Sequence, residues 1–188
     1  NDYWEIEATA FYRALFALPF LLLWVYLGKS KFNLRLNLDK SSWLLFILAG
    51  ISFGIDMALW NWSIYFTSVA HATLMANTAP IFVTLISVFF FHNHIKPTFL
   101  IALILSFLGV LIVISAGSGS DEGKLLGDSL GILAALFYAC YILSVKRLTN
   151  HIPPSHVLLI TTFFTALFLF PVSLLESGDF FSSSILGW

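Results

Sequence analysis

Residues 99–114 read FLIALILSFLGVLIVI, sixteen positions with one serine, one glycine and no charge. A half-buried strand would alternate apolar with polar, and a helix on a soluble core would show a polar face. This stretch does neither. Extended to 97–116 it reaches twenty residues, the length of helix needed to cross a hydrocarbon layer about 30 Å thick. Five further apolar runs of similar length flank it, at 8–27, 43–66, 69–91, 125–145 and 157–175. Each must satisfy its own backbone hydrogen bonds in lipid, so each is expected to be a helix. The runs lack the alternation of barrel strands. The first run lacks the basic flank and short apolar stretch of a signal peptide. The expected fold is all-α, a polytopic transmembrane bundle with six full spans.

Composition agrees. Of 188 residues, 59% are hydrophobic and 10% charged, against roughly 25% charged in soluble domains. A net charge of -1 excludes the basic footprint of a nucleic-acid binder. The single cysteine, Cys140, lies in an apolar run and supports neither a disulfide framework nor a thiolate cluster. No Gly-Lys-Ser/Thr phosphate loop is present. His92 and His94 flank Asn93 in a turn, two ligands where a metal site needs more. No cofactor or metal is expected. The expected partners are a small-molecule substrate and membrane lipid.

Lys and Arg set the orientation. With six alternating spans, Lys29, Lys31, Arg35, Lys40, Lys96, Lys146 and Arg147 share one side, and Lys124 stands alone on the other. The basic side is expected to be cytoplasmic, in a multi-pass protein of the cell membrane. The stretch GSGSDEGK (117–124) looks like a flexible join, and divides the chain into 1–117 and 118–188. The chain opens without methionine, and FFSSSILGW (180–188) looks like the start of another span. A fragment is expected, with helices missing at both ends.

A repeat supports this. ALFALPFLLL (14–23) and ALFLFPVSLL (166–175) agree at six of ten positions, including Pro19 and Pro171. The two runs cross in opposite directions, so the copies are inverted, as in many secondary transporters. Five-helix repeats follow, the first lacking its first helix here and the second truncated.

Polar groups within the spans are the candidates for function, because a charge at the bilayer centre costs roughly 2.5–3.5 kcal/mol. Asp56 lies mid-span. Ser52, Asp56, Trp60, Ser63 and Thr67 share one helical face, and Gly50, Gly54 and Ala58 roughly the opposite one. The second stripe reads as a packing face. Asp56 reads equally as lining a substrate or proton path, or as a structural carboxylate. Arg13 reads as a gate group within reach of Asp56, or as an interfacial anchor. In the third run Thr73, Asn77, Pro80, Thr84 and Ser87 form a second polar stripe. Pro80 is expected to kink that helix. The stripe either lines the pathway or satisfies the carbonyl that the proline frees. Gly127, Gly131, Ala135 and Ala139 recur every four residues, a close-packing seam. Tyr138 and Tyr141 lie off that seam and suit either an organic ligand or packing. His71 opens the third run at its outer end, an interfacial position.

SVAHATLMANTAPIF (68–82), the apolar stretch on to HNHIKP, FLGVLIVISAG (107–117) and GDSLGILAALFYACYILSVKRL (127–148) together are similar to the EamA-type branch of the drug/metabolite transporter superfamily. Arg13 resembles the arginine common in that family's second helix. The resemblance implies ten helices in two inverted five-helix modules, both termini cytoplasmic, with this chain holding helices two to seven and the start of eight. It also implies alternating-access transport of amino acids, other metabolites or drugs. Asn93 stands where family members often carry a glutamate, which puts any ionic role at that turn in doubt.

The expected function is secondary transport of small organic metabolites. Arg13, Asp56, Trp60, Thr73 and Asn77 are the candidate substrate-binding residues and Pro80 the hinge; no catalytic residue is expected. Rival readings are an intramembrane enzyme acting on lipid, for which His92, His94 and His156 form the one cluster, and a non-transporting scaffold.

Overall fold

A computed structural model describes residues 4–28, 39–91, 97–116 and 122–176. The expected basic connection, the HNH turn with Asn93, the glycine-serine join and the apolar start at 180–188 fall wholly or mainly outside the described residues. Within them all the regular structure is helical. The helices are α1 (Trp4–Leu27), α2 (Lys40–Phe66), α3 (Val69–Ala76), α4 (Ala79–Phe91), α5 (Pro97–Ala116), α6 (Glu122–Thr149) and α7 (Pro154–Glu176).

Five segments are long and apolar enough to cross a membrane: α1, α2, the combined α3–α4, α6 and α7. Helices of this length and apolarity are those of an integral, multi-pass membrane protein. The helix α5 runs for 20 residues. Leu100, Ile101, Ile104, Leu105 and Leu108 of α5 are all exposed, as suits a lipid-facing element.

The third run differs from expectation. A single kinked helix is replaced by two, with a turn at Asn77–Thr78. The Asn77 N–H still bonds the Thr73 carbonyl at 3.0 Å, and the Thr78 N–H bonds the Met75 carbonyl at 3.0 Å. The Thr78 hydroxyl donates to that same Met75 carbonyl at 2.6 Å. Pro80 is therefore the second residue of a new helix, where its missing N–H costs nothing. Breaking the helix avoids the clash that a proline ring makes in a helix interior.

The helix α2 is the hub. It lies along α6 on one side and α7 on another, while α3 and α4 lean on α6 and α1 leans on α7. Small residues make these approaches possible. Gly127, Gly131, Ala135 and Ala139 are all buried, as a packing seam requires. A Cβ on Gly131 would come within 2.7 Å of Met75 Cβ, and one on Gly127 within 2.9 Å of Thr67. On the other side of α2, Gly50 abuts Phe164 and Gly54 abuts Phe168. The Thr165 hydroxyl is shared between the carbonyls of Gly50, at 3.1 Å, and Thr161, at 3.0 Å.

Phe46, Leu148, Ile152 and Val157 form one buried cluster. It brings the start of α2 and the end of α6 to the same end of the bundle, so Lys40, Lys146 and Arg147 gather there. A second cluster joins Ala10, Phe11 and Ala14 of α1 to Ala166 and Leu169 of α7. The two helices that carry the sequence repeat thus pack antiparallel. Their equivalent alanines, Ala14 and Ala166, belong to one cluster.

Candidate functional site

Asp56 and Trp60 lie one turn apart on α2, and both are half-buried. No described residue forms a hydrogen bond or ion pair with the Asp56 carboxylate. The neighbouring Met57 packs against the α1–α7 cluster, which fixes the rotation of this part of α2.

The rest of the α2 polar stripe is spent on packing. Ser63 is fully buried, and its hydroxyl donates to the Gly127 carbonyl at 2.7 Å. Thr67 lies against Gly127, and Ser52 is buried. The face that looked continuous in sequence is therefore divided: Asp56 and Trp60 stay partly open, while Ser63 and Thr67 meet α6.

Thr73 and Asn77 are both exposed, Asn77 as the C-cap of α3. Pro80 is exposed too. Thr84 is buried, and its hydroxyl turns back to the Pro80 carbonyl at 2.7 Å. That bond is local to α4 and satisfies the backbone. Arg13 is exposed on α1, turned off the face that Ala10 and Ala14 present to α7. No ion pair joins Arg13 to Asp56 among the described residues. The structure thus groups Asp56 with Trp60, and leaves Arg13, Thr73, Asn77 and Pro80 on exposed surface.

An aromatic wall stands close along α2. Phe53 stacks on Tyr141 with centroids 4.7 Å apart, and Tyr138 stacks on Tyr141 at 5.9 Å. Phe53 precedes Asp56 by three residues, so both lie within one turn of α2. Phe53 escaped sequence reasoning because a phenylalanine in an apolar span carries no signal; only its pairing with two tyrosines across the helix gap distinguishes it. A separate groove of about 330 Å³ is lined by Leu18, Leu22, Trp43, Leu159, Ile160, Phe163 and Phe164. Its lining is wholly apolar and includes none of the candidate residues.

Two residues that sequence reasoning did not pair meet at the other end of α2 from Lys40. His71 Nδ1 lies 3.5 Å from Asp128 Oδ1. His156 is buried at the start of α7, with Nδ1 3.4 Å from the Ser155 hydroxyl oxygen. His92 and His94, which with it made up the expected enzyme cluster, lie outside the described residues. Among the described residues no three His, Cys, Asp or Glu side chains are grouped to hold a metal ion.

Comparison with known proteins places these features in context. Residues 2–115 match the EamA-like transporter family. The uncharacterized transporter YetK of Bacillus subtilis (strain 168) is 27% identical over 132 residues, covering 68% of this chain and 40% of YetK. An uncharacterized transporter of Archaeoglobus fulgidus is 29% identical over 146 residues, covering 76% of this chain and 48% of the relative. A riboflavin transporter of Vibrio cholerae serotype O1 is 27% identical over 130 residues, covering 66% of this chain and 43% of the relative. The chain thus spans less than half the length of these curated relatives. No solved structure matches it.

Proposed function

The chain belongs to the EamA-like transporter family, and from that premise we propose that the protein moves small organic metabolites across the cell membrane by alternating access. The observation that carries the reading is Asp56, a half-buried carboxylate in the middle of a membrane span with no partner among the described residues. A span tolerates such a group where it faces a ligand, a proton path or water. Trp60 one turn away and the Phe53–Tyr141–Tyr138 wall offer flat apolar surface beside the charge. That combination suits a solute with a ring and a polar handle. The Vibrio cholerae relative named for riboflavin supports a ring-bearing cargo.

In this reading Asp56 and Trp60 contact cargo or a coupling proton. Thr73 and Asn77 line the route where they emerge on α3, and Arg13 guards its mouth. The break before Pro80 lets α3 and α4 move relative to each other. The Lys/Arg-rich end faces the cytoplasm. The antiparallel pairing of α1 with α7 supports two inverted modules, 1–117 and 118–188. We read the chain as a transporter and not an enzyme.

The test is uptake into proteoliposomes holding the full chain, under an imposed pH gradient, with amino acids, nucleosides and flavins as the solute panel. Accumulation of at least one class is expected. Asp56→Asn is expected to slow it by about tenfold, equivalent to roughly 1.4 kcal/mol, and to flatten its pH profile. Unchanged turnover and pH profile in that variant remove Asp56 from the mechanism. No uptake of any solute counts against transport itself.

A further inference from the structure

At the end of the bundle opposite Lys40, three side-chain atoms are buried without a hydrogen-bond partner: Thr67 Oγ1, His71 Nδ1 and Asp128 Oδ1. They belong to different parts of the chain. Thr67 follows α2, His71 is in the first turn of α3, and Asp128 is in the second turn of α6. Yet they meet. His71 Nδ1 and Asp128 Oδ1 are 3.5 Å apart, and Thr67 lies against Gly127, the residue before Asp128. We propose that His71 and Asp128, beside Thr67, form a proton-binding site that clamps the α2–α3 turn to the start of α6.

The argument begins with what the backbone has already fixed. Thr67 and Ser68 make a two-residue connection, with the Thr67 N–H bonded to the Ser63 carbonyl at 3.0 Å. Ser68 caps α3, its hydroxyl accepting from the His71 N–H at 3.2 Å. The backbone of His71 is therefore held in place by a helix cap. On α6, Gly127 and Gly131 admit Thr67, Met75 and Ser63 too closely for any Cβ. Asp128, between those glycines, is drawn against α3 with them and is 8% exposed. Two groups with opposite possible charges are thus held together by packing that neither provides.

The chemistry of the pair follows. A buried carboxylate without a partner is costly, and removing one member of a buried pair costs more than the pair gains. A carboxylate oxygen accepts and a protonated imidazole nitrogen donates, so one proton can be shared between them. An imidazole gains or loses its charge between pH 5 and 8. When it takes a proton from the aqueous phase at this end of the bundle, the pair becomes an ion pair and the clamp closes. Without that proton the pair has no charge attraction and the clamp weakens.

Other charges near His71 are few. The end of α2 carries none after Asp56, and α4 and α5 carry none at all. On α6 the first turn holds Glu122 and Lys124, with Lys146 and Arg147 at the far end. Asp128 is the acidic group that the described structure brings to His71. Because the clamp joins the 1–117 segment to the 118–188 segment, its protonation state sets how firmly the two segments hold at this end.

The test is thermal unfolding of the purified full chain and of His71→Gln, Asp128→Asn, Asp128→Glu and the double variant His71→Gln/Asp128→Asn. Each is measured at pH 5.5 and pH 8.5. At pH 5.5 the double-variant cycle is expected to show coupling, read as a Tm difference of about 2–4 °C. At pH 8.5 that coupling is expected to vanish. Asp128→Glu keeps the carboxylate and is expected to retain the pH dependence that Asp128→Asn loses. Coupling of equal size at both pH values identifies a neutral hydrogen bond and overturns the proton site. No coupling at either pH overturns the clamp. If Asp128→Asn does not fold, His71→Gln against the parent and Asp128→Glu carries the same comparison. Unfolding does not depend on transport, so this result stands or falls apart from the uptake assay.

Discussion

The Ser63 hydroxyl donates to the Gly127 carbonyl at 2.7 Å across the seam between α2 and α6. A serine in the middle of a span thereby satisfies itself on the backbone of a second helix. It reaches that carbonyl only because the facing residues are glycines. Interhelical bonds of this kind contribute about 0.6 kcal/mol on average in membranes, so the geometry depends more on close approach than on the bond.

The first prediction concerns that approach. A Cβ on Gly131 would lie 2.7 Å from Met75 Cβ and 3.0 Å from Ser63 Oγ, whereas Gly109 has nothing within 4 Å. Gly131→Ala is expected to destabilise the protein by about 1–3 kcal/mol. Gly109→Ala is expected to be neutral or stabilising by up to about 1 kcal/mol, since alanine is the better helix former. Thermal unfolding of the two variants side by side checks this; equal Tm values refute the seam.

The α2–α7 contact gives a second contrast. Gly50 faces the Cβ and backbone of Phe164, and Gly54 faces the ring edge of Phe168. A ring can turn aside and a backbone cannot. Gly50→Ala is therefore expected to cost more than Gly54→Ala, by about 1 kcal/mol or more. Denaturation midpoints that rank the two in the opposite order contradict this packing.

Pro80 yields a third. In the first turn of α4 its missing N–H is not needed, so Pro80→Ala is expected to change stability by less than about 0.5 kcal/mol. Thr78→Ala removes the buried bond to the Met75 carbonyl, 2.6 Å long, and is expected to cost about 1 kcal/mol. If the α3–α4 break acts as a hinge, Pro80→Ala slows uptake while leaving the unfolding temperature in place. A large Tm change in Pro80→Ala shows instead that the proline sits in a helix interior.

Arg13 gives the fourth. It is exposed and forms no ion pair with Asp56. Arg13→Ala is expected to leave stability within about 0.5 kcal/mol of the parent. A fall in uptake at unchanged Tm assigns it to the pathway mouth; unchanged uptake assigns it to the surface.

The same residues show how much of the fold is legible in the order of amino acids. The six apolar runs are helical but for the turn at Asn77–Thr78, because lipid leaves a backbone no partner outside its own segment. The packing seams of Gly127–Gly131 and Gly50–Gly54 are legible for a related reason. A four-residue spacing of small side chains puts them on one side of a helix whatever the helix meets. Asp56 stands out because a carboxylate is rare at that depth.

The proline break is half legible. Pro80 marks the place, yet a kink and a break differ only in whether Asn77 and Thr78 find carbonyls to bond, which depends on the turn they make. The polar stripe of α2 misleads. Its periodicity puts Ser63 and Thr67 with Asp56, but the rotation of α6 decides which of them is covered.

The sequence alone determined the lipid-embedded helices, their spacing, the direction in which small residues invite close packing, and the family. These are consequences of local hydrogen bonding and of periodicity along one chain. Only the tertiary structure decided that α1 meets α7, that Ser63 bonds Gly127, and that His71 faces Asp128. Each of those joins residues 57 or more positions apart. Such pairings depend on the rotation and tilt of whole helices against one another, which many small contacts fix together.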